Sequence, residues 1–263
     1  MIDHCYCYCL YGRDLVYYQP LELVAQRLEE NPNSVIVLGT VEKDFEFVSN
    51  YYVKYKNIKV YSFGEEYKFR ERLVRFLAPR HIEAKYYHYR DADSVITDFE
   101  QSLISIYVGF KLPILILRNH PLHYSPVMAG MFSLNYEFAI RLVSMVEDQL
   151  HSVEPLYYYD QIFLTNHLYK EHKSQALVFS SHIGYEGEFI HKINFDKYNF
   201  IGQPNFWSDR ECDSALSKVS QLASKALVTL PFYSSLSTLY QRGKFIRLLR
   251  MLQVLKIFRG RRF

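Results

Sequence analysis

Two four-residue runs, Val35-Ile36-Val37-Leu38 and Ile114-Leu115-Ile116-Leu117, constrain the fold more than any other part of the chain. Each is apolar at every position, too short for a buried helix and without the alternation of a strand that faces water on one side. Such runs belong to strands covered by helices on both faces, the situation of a parallel sheet. Further short apolar runs at 4–11, 59–63, 86–90 and 176–180 read as strands, and the two quoted runs extend over 34–38 and 113–117. Helical patterns lie between them. Pro20 opens a helix where its missing N–H costs nothing, Leu21, Val24, Ala25 and Leu28 form its apolar face, and Asn31-Pro32 stops it. A second helix is expected over about 42–55, and a third over about 65–77 with Phe69, Leu73, Phe76 and Leu77 turned inward. Helices are also expected at 136–150, 159–169 and 209–227, the last capped by Ser208. This rhythm predicts an α/β fold with a mostly parallel sheet flanked by helices, and ligands of such sheets bind at the carboxyl ends of the strands.

A chain of 263 residues can bury a core without staples. Cys5, Cys7 and Cys9 alternate, so they share one face of a strand; neighbours at that spacing do not pair and lack the CxxC spacing of a zinc site. They read as buried thiols in a central strand, which suggests a reducing compartment. Most of the 24 Tyr and 19 Phe must be core, leaving a minority for stacking platforms. No run approaches eighteen apolar residues and no basic n-region precedes an apolar stretch, so neither a membrane span nor a secretory signal is expected.

The net charge of +3 hides an asymmetry: residues 241–263 hold eight Lys and Arg and no acid, so the remainder carries −5. A mildly acidic body with a basic tail argues against a nucleic-acid partner, whose binder spreads positive charge over the folded domain, and predicts contact with an anionic membrane surface. In that tail polar residues recur every third position from Lys244 to Arg259, so the polar stripe winds around a helix instead of holding one face.

The residues with clearest chemistry are Asp91 and Asp93, at the expected end of a strand. Carboxylates at i and i+2 can share one divalent ion of the hard, oxygen-preferring kind, whose other positions take phosphate oxygens. A turn is the structural alternative for the same pair. Arg72 and Arg75 precede them on the third helix, and a guanidinium fork suits a diphosphate or one of these carboxylates.

Read together, Arg90-Asp91-Ala92-Asp93-Ser94, then Arg118-Asn119-His120-Pro121-Leu122-His123, Pro126-Val127-Met128-Ala129-Gly130-Met131 and Asp160-Gln161-Ile162-Phe163-Leu164 form an ordered series. Over about residues 6–207 the chain resembles bacterial and viral glycosyltransferases of the GT-A type that carry RD-x-DS, RDHP-x-H and DQ-x-FL blocks, with a more distant similarity to retaining galactosyl- and glucosyltransferases. The resemblance implies a GT-A-like catalytic domain at 1–207, followed by a helical segment at 208–263 that ends in the basic tail. It implies that Asp91 and Asp93 bind Mn²⁺ or Mg²⁺ and the donor's diphosphate, and that Asp160 and Gln161 lie beside the anomeric carbon, which favours retention. Asp160 is equally placed to cap a helix. Tyr11 and Gly12 would lie at the nucleobase, unless Tyr11 is core. His182 is the implied third metal ligand, with His191 and Asn199 as alternatives; Asn199 stands where the related enzymes have histidine. Arg118, His120 and His123 would contact sugar hydroxyls, while Asn119 replaces the acid of the RDHP-x-H pattern. The expectation is a cytoplasmic, membrane-peripheral glycosyltransferase taking a nucleoside-diphosphate sugar to a surface polysaccharide or lipid-linked glycan. The rival expectations are a metal-dependent phospho- or nucleotidyltransferase and a non-catalytic, membrane-docked sugar-nucleotide-binding module.

Overall fold

The computed structural model describes residues 2–64, 70–123, 125–150, 159–182, 184–185, 187–194, 196 and 198–228. The basic tail and Phe69 lie outside the described residues. Strands β1 (Ile2–Cys9), β2 (Ser34–Thr40), β3 (Ile58–Ser62) and β4 (Ala84–Arg90) alternate with α1 (Gln19–Leu28), α2 (Glu42–Tyr52) and a 3-10 helix, Arg70–Arg80. After β4 come α3 (Asp98–Phe110), β5 (Ile114–Arg118), β6 (Met131–Asn135) and α4 (Tyr136–Leu150). Next, α5 (Tyr159–Phe163) passes through a π-helical turn, Leu164–Tyr169, into α6 (Lys170–His172); β7 (Ala176–Ser180), β8 (Phe189–Lys192) and α7 (Asp209–Val228) follow.

The eight described strands form one sheet in the order β3-β2-β1-β4-β6-β5-β7-β8. All neighbours are parallel except β6, which runs antiparallel to both β4 and β5. This is the expected mostly parallel, helix-flanked mixed sheet. Both faces are covered, which explains the unalternating runs. Val35 and Val37 face one core with Cys5, Cys7, Leu73, Phe76 and Leu142, whereas Ile36 and Leu38 face the other with Tyr6, Tyr8, Leu21, Tyr52 and Leu103. The three N-terminal cysteines are free thiols buried in β1, a central strand between β2 and β4.

Helix α1 buries Pro20, Leu21, Val24, Ala25 and Leu28 as expected. The third helical segment buries Leu73, Phe76 and Leu77 but is 3-10 over its described part and contains Pro79, which removes one N–H from the ladder. At α7 the cap is reversed: the Glu211 carboxylate accepts the Ser208 N–H at 2.6 Å and its hydroxyl at 2.8 Å, so Ser208 is not the side-chain acceptor. Among the described residues no helix is long and apolar enough to cross a membrane.

Candidate functional site

The turn that carries the two aspartates is built around a buried cation. Arg90, the last residue of β4, pairs with Glu100 of α3 at 3.0 Å, and the two side chains are 2% and 1% exposed. The same guanidinium donates to the Ser94 hydroxyl at 3.2 Å and to the carbonyls of Gly130 and Val95, each at 3.4 Å. Ser94 in turn donates to the Asp91 carbonyl at 3.3 Å, closing the turn on itself. From the other side the Asn205 N–H donates to the Asp93 carbonyl at 2.6 Å, and Ser94 forms a bridge with Pro204. With its backbone held on both sides, the turn presents Asp91 and Asp93 to a cavity of about 440 Å³.

Arg72, Arg75, Asp160 and Gln161 line the same cavity. Arg75 is its internal strut. Its Nη1 donates to Asp91 Oδ1 at 2.5 Å and to the Arg90 carbonyl at 2.9 Å, its Nη2 to Asp160 Oδ2 at 3.1 Å, and its Nε to the Arg72 carbonyl at 3.0 Å. One planar fork thereby joins the 3-10 helix, the end of β4 and the start of α5, a geometry that an ammonium could not span. Asp160 Oδ1 accepts the Gln161 N–H at 2.9 Å, so this carboxylate also serves the first turn of its helix. Tyr11 and Tyr17 complete the wall, with Cys9 beneath.

Burial works against the Arg75 charge, but Asp91 and Asp160 beside it hold the guanidinium protonated. The partial loss of solvent at the cavity floor acts to raise Asp91, whose side chain is still half open, and the neighbouring Arg75 more than offsets it, so Asp91 lies below the usual carboxylate range. Asp93 is pushed up to about 6 by burial and by the charge of Asp91. Asp160 is also raised by burial, against the pull of Arg75. Two unequal carboxyls therefore face one cleft, and their mutual repulsion is what a divalent cation would relieve. The donor set fits Mg²⁺ or Mn²⁺: carboxylate oxygens only, with the Asp91 side chain 51% exposed. Among the described residues no three His, Cys, Asp or Glu side chains assemble in a metal-holding arrangement, so phosphate oxygens and water would supply the remaining positions.

The other expected residues lie elsewhere. Gly12 has φ +78°, donates its N–H to Asp44 at 2.7 Å and accepts from the Tyr18 hydroxyl at 2.7 Å, which fixes the exit from β1. Arg118 is fully buried and pairs with Glu188 at 2.6 Å, lying 4.9 Å from the centre of the Tyr185 ring; its charge holds the segment after β7 and does not reach the cavity wall. His120 is buried and stacked on Phe200 at 3.8 Å, and His123 packs against it with ring centres 5.7 Å apart. Burial lowers His120 to about 4, lowers His123 well below its ordinary value, and with His120 and Arg118 lowers His182 to about 3. These imidazoles are neutral near pH 7, and none lines the cavity that holds Asp91 and Asp93. His182 shares a hydrogen bond with Ser181 at 2.8 Å, His191 packs against Phe110 and Phe179, and the Asn199 N–H donates to Asp196.

Sequence reasoning gave no role to Arg90, Ser94, Glu100, Gly130 or Asn205. The first two stand inside the RD-x-DS block and Gly130 inside the segment 126–131, so the blocks contained the signal without its geometry. Glu100 and Asn205 could be recognised only once the chain had folded.

No family model matches the sequence, and no curated protein matches it. Among solved structures, the chain is similar to 4-diphosphocytidyl-2C-methyl-D-erythritol synthase from Anaerococcus prevotii, with 12% identity, a TM-score of 0.47 and coverage of 82% of this chain and 96% of that one. It is similar to a mannosyltransferase from Pyrobaculum calidifontis in complex with GDP-Man and Mn²⁺, with 8% identity, a TM-score of 0.46 and coverage of 95% and 69%. It is also similar to S. aureus TarS in complex with UDP-GlcNAc, with 10% identity, a TM-score of 0.45 and coverage of 88% and 68%.

Proposed function

We propose that the cavity at the end of β4 is the donor site of a metal-dependent glycosyltransferase that uses a nucleoside-diphosphate sugar. The observation that carries this reading is the convergence of seven residues from four parts of the chain, Tyr11, Arg72, Arg75, Asp91, Asp93, Asp160 and Gln161, on one polar cavity. Asp91 and Asp93 would hold Mn²⁺ or Mg²⁺, which when bound neutralises the leaving diphosphate. Arg72 contributes a second positive charge to the diphosphate. Arg75, whose donors are committed to Asp91, Asp160 and two carbonyls, keeps the carboxylates in position. Asp160 and Gln161 flank the donor sugar, and Tyr11 gives its ring to the nucleobase. Transfer with retention is proposed on the Asp160-Gln161 pair.

The acceptor class proposed is a surface polysaccharide or lipid-linked glycan, reached at the cytoplasmic face of a membrane through 241–263. Removal of that segment should reduce binding to anionic liposomes, and unchanged binding would count against the docking role. The central test is a thermal-shift and hydrolysis screen of sugar nucleotides with Mn²⁺. A sugar nucleotide should stabilise and be hydrolysed, and Asp91→Ala or Asp93→Ala should abolish the metal-dependent hydrolysis with the fold intact. Full activity in either variant, or turnover of nucleoside triphosphates alone, would overturn the assignment, the latter in favour of a nucleotidyltransferase.

A further inference from the structure

We propose that Tyr17 and Phe206 form a stacking platform for a pyranose ring of the acceptor, at the mouth of the cavity; this rests on the donor-site reading above. The two rings come from opposite ends of the described chain and meet with centres 6.4 Å apart at 81°. Tyr17 is 39% and Phe206 45% exposed. Both positions are fixed. Tyr17 ends a short 3-10 turn, Leu15–Tyr17, in which the Asp14 side chain accepts the Val16 N–H, and the next residue, Tyr18, is buried in the core with its hydroxyl on the Gly12 carbonyl. With Tyr18 committed inward, Tyr17 is held outward, on the cavity wall beside Asp91 and Asp93. Phe206 directly follows Asn205, whose N–H is bonded to the Asp93 carbonyl at 2.6 Å. The platform is thus tied to the same turn that presents the carboxylates, where an acceptor must approach.

The chemistry selects a sugar. A pyranose has an apolar C–H face, which covers aromatic carbon, and a rim of hydroxyls, which here would meet the polar wall formed by Asp93 and Gln161.

Trp207, the single tryptophan of the chain, adjoins Phe206 and reports on the platform by fluorescence. Titrations of the full chain with maltose, cellobiose, lactose and chitobiose, in Mn²⁺ with UDP or GDP, should give a saturable change for at least one disaccharide. Tyr17→Ala and Phe206→Ala should each weaken that binding by about fivefold to tenfold, the size of one aromatic contact, and Phe206→Ala, whose ring does not line the donor cavity, should leave Mn²⁺-dependent nucleotide binding as it was. Melting curves of the variants should lie within about 5 °C of that of the natural protein, the size of one part-exposed aromatic contact. The proposal is overturned if no disaccharide binds, if both variants bind it as tightly as the natural protein, or if Phe206→Ala weakens nucleotide binding instead, which would make the platform a nucleobase site. A natural protein that binds disaccharide but no Mn²⁺–nucleotide would refute the donor-site reading and leave the platform standing.

Discussion

Gly130 precedes β6 and lies directly against the Asp91 side chain, so Gly130→Ala tests the site without replacing any proposed ligand. A methyl group there would overlap the Asp91 carboxylate and approach the Asp91 backbone nitrogen to 2.8 Å, where ordinary contacts begin at 3.4 Å. A rotamer change could move the carboxylate but not the nitrogen, so the turn and the start of β6 must separate, by 0.6 Å (from 2.8 to 3.4 Å) to restore an ordinary contact. The register of β4 on β6 pairs Arg90 with Met131, and the bond from Asn205 to Asp93 holds the far side of the turn. The displacement therefore falls on Asp91 itself. Misplacing a catalytic group by about 1 Å costs on the order of 100-fold, or roughly 2.7 kcal/mol of transition-state stabilisation. Overpacking adds a loss of about 1–3 kcal/mol in stability, a fall in Tm of roughly 2–12 °C for a chain of this size. Gly130 does not occupy the left-handed region, so backbone strain contributes nothing to the effect. The assay is kcat/KM for Mn²⁺-dependent donor hydrolysis, together with Mn²⁺ affinity and a melting curve. Gly109→Ala is the control: no atom lies within 4 Å of its added methyl on the exposed side of α3, and the change should stabilise the helix by about 0.5–1 kcal/mol with activity unchanged. Gly130→Ala activity within threefold of the natural protein, with the same Tm, would refute the placement of Asp91.

Because Asp93 is pushed up to about 6, it must shed its proton to bind a cation, so Mn²⁺ affinity should rise about tenfold from pH 5 to pH 7 and level off above. Calorimetry at several pH values reads this directly, and a flat profile would contradict it. Arg75→Met leaves Asp160 buried without its cation and should cost about 3–5 kcal/mol in urea unfolding, while Arg75→Lys should recover only part, because one ammonium cannot reach both Asp91 and Asp160. Full recovery by lysine would show that charge alone, without the fork, is what the site uses.

The parallel strands other than β8 were legible from their short apolar runs, and β2 and β5 have no alternation for a helix to imitate. Strand β6 was not legible for the opposite reason: Ser133 interrupts its apolar run and is buried only because His88 of β4 meets its hydroxyl at 2.8 Å. Strand β8 lies at the sheet edge with three of its four residues exposed, so nothing in Phe189-Ile190-His191-Lys192 encodes a core face. In the third helical segment, spacings of three and four residues put Leu73, Phe76 and Leu77 inward under either helical period, so the pattern could not announce a 3-10 helix. Arg75 was expected near a diphosphate or one of the two aspartates, but its local spacing gave no sign of its burial. It is buried because Asp91, 16 positions on, and Asp160, 85 positions on, converge on it, and pairing across such distances leaves no trace in local sequence.

The pair Arg90–Glu100 poses the question of why a folded chain would bury two charges under its site. Desolvating them is expensive, and a well-packed apolar pair in their place is often neutral or stabilising. Here the pairing is also incomplete, since Arg90 Nε and Glu100 Oε2 have no hydrogen-bond partner among the described residues. What Arg90 does supply is three donors aimed at Ser94 and at the carbonyls of Gly130 and Val95, acceptors that surround the Asp91–Asp93 turn and that no apolar side chain could serve. Its benefit is therefore to turn geometry more than to stability, and the two can be separated. The double variant Arg90→Met with Glu100→Leu removes both charges and preserves the net charge. It should unfold within about 1 kcal/mol of the natural protein or above it, yet bind Mn²⁺ at least tenfold more weakly. The single variant Arg90→Met, which strands Glu100, should lose about 3–5 kcal/mol in stability as well. A double variant that is equally stable and retains its Mn²⁺ affinity would show that the turn holds its carboxylates in place without the buried arginine.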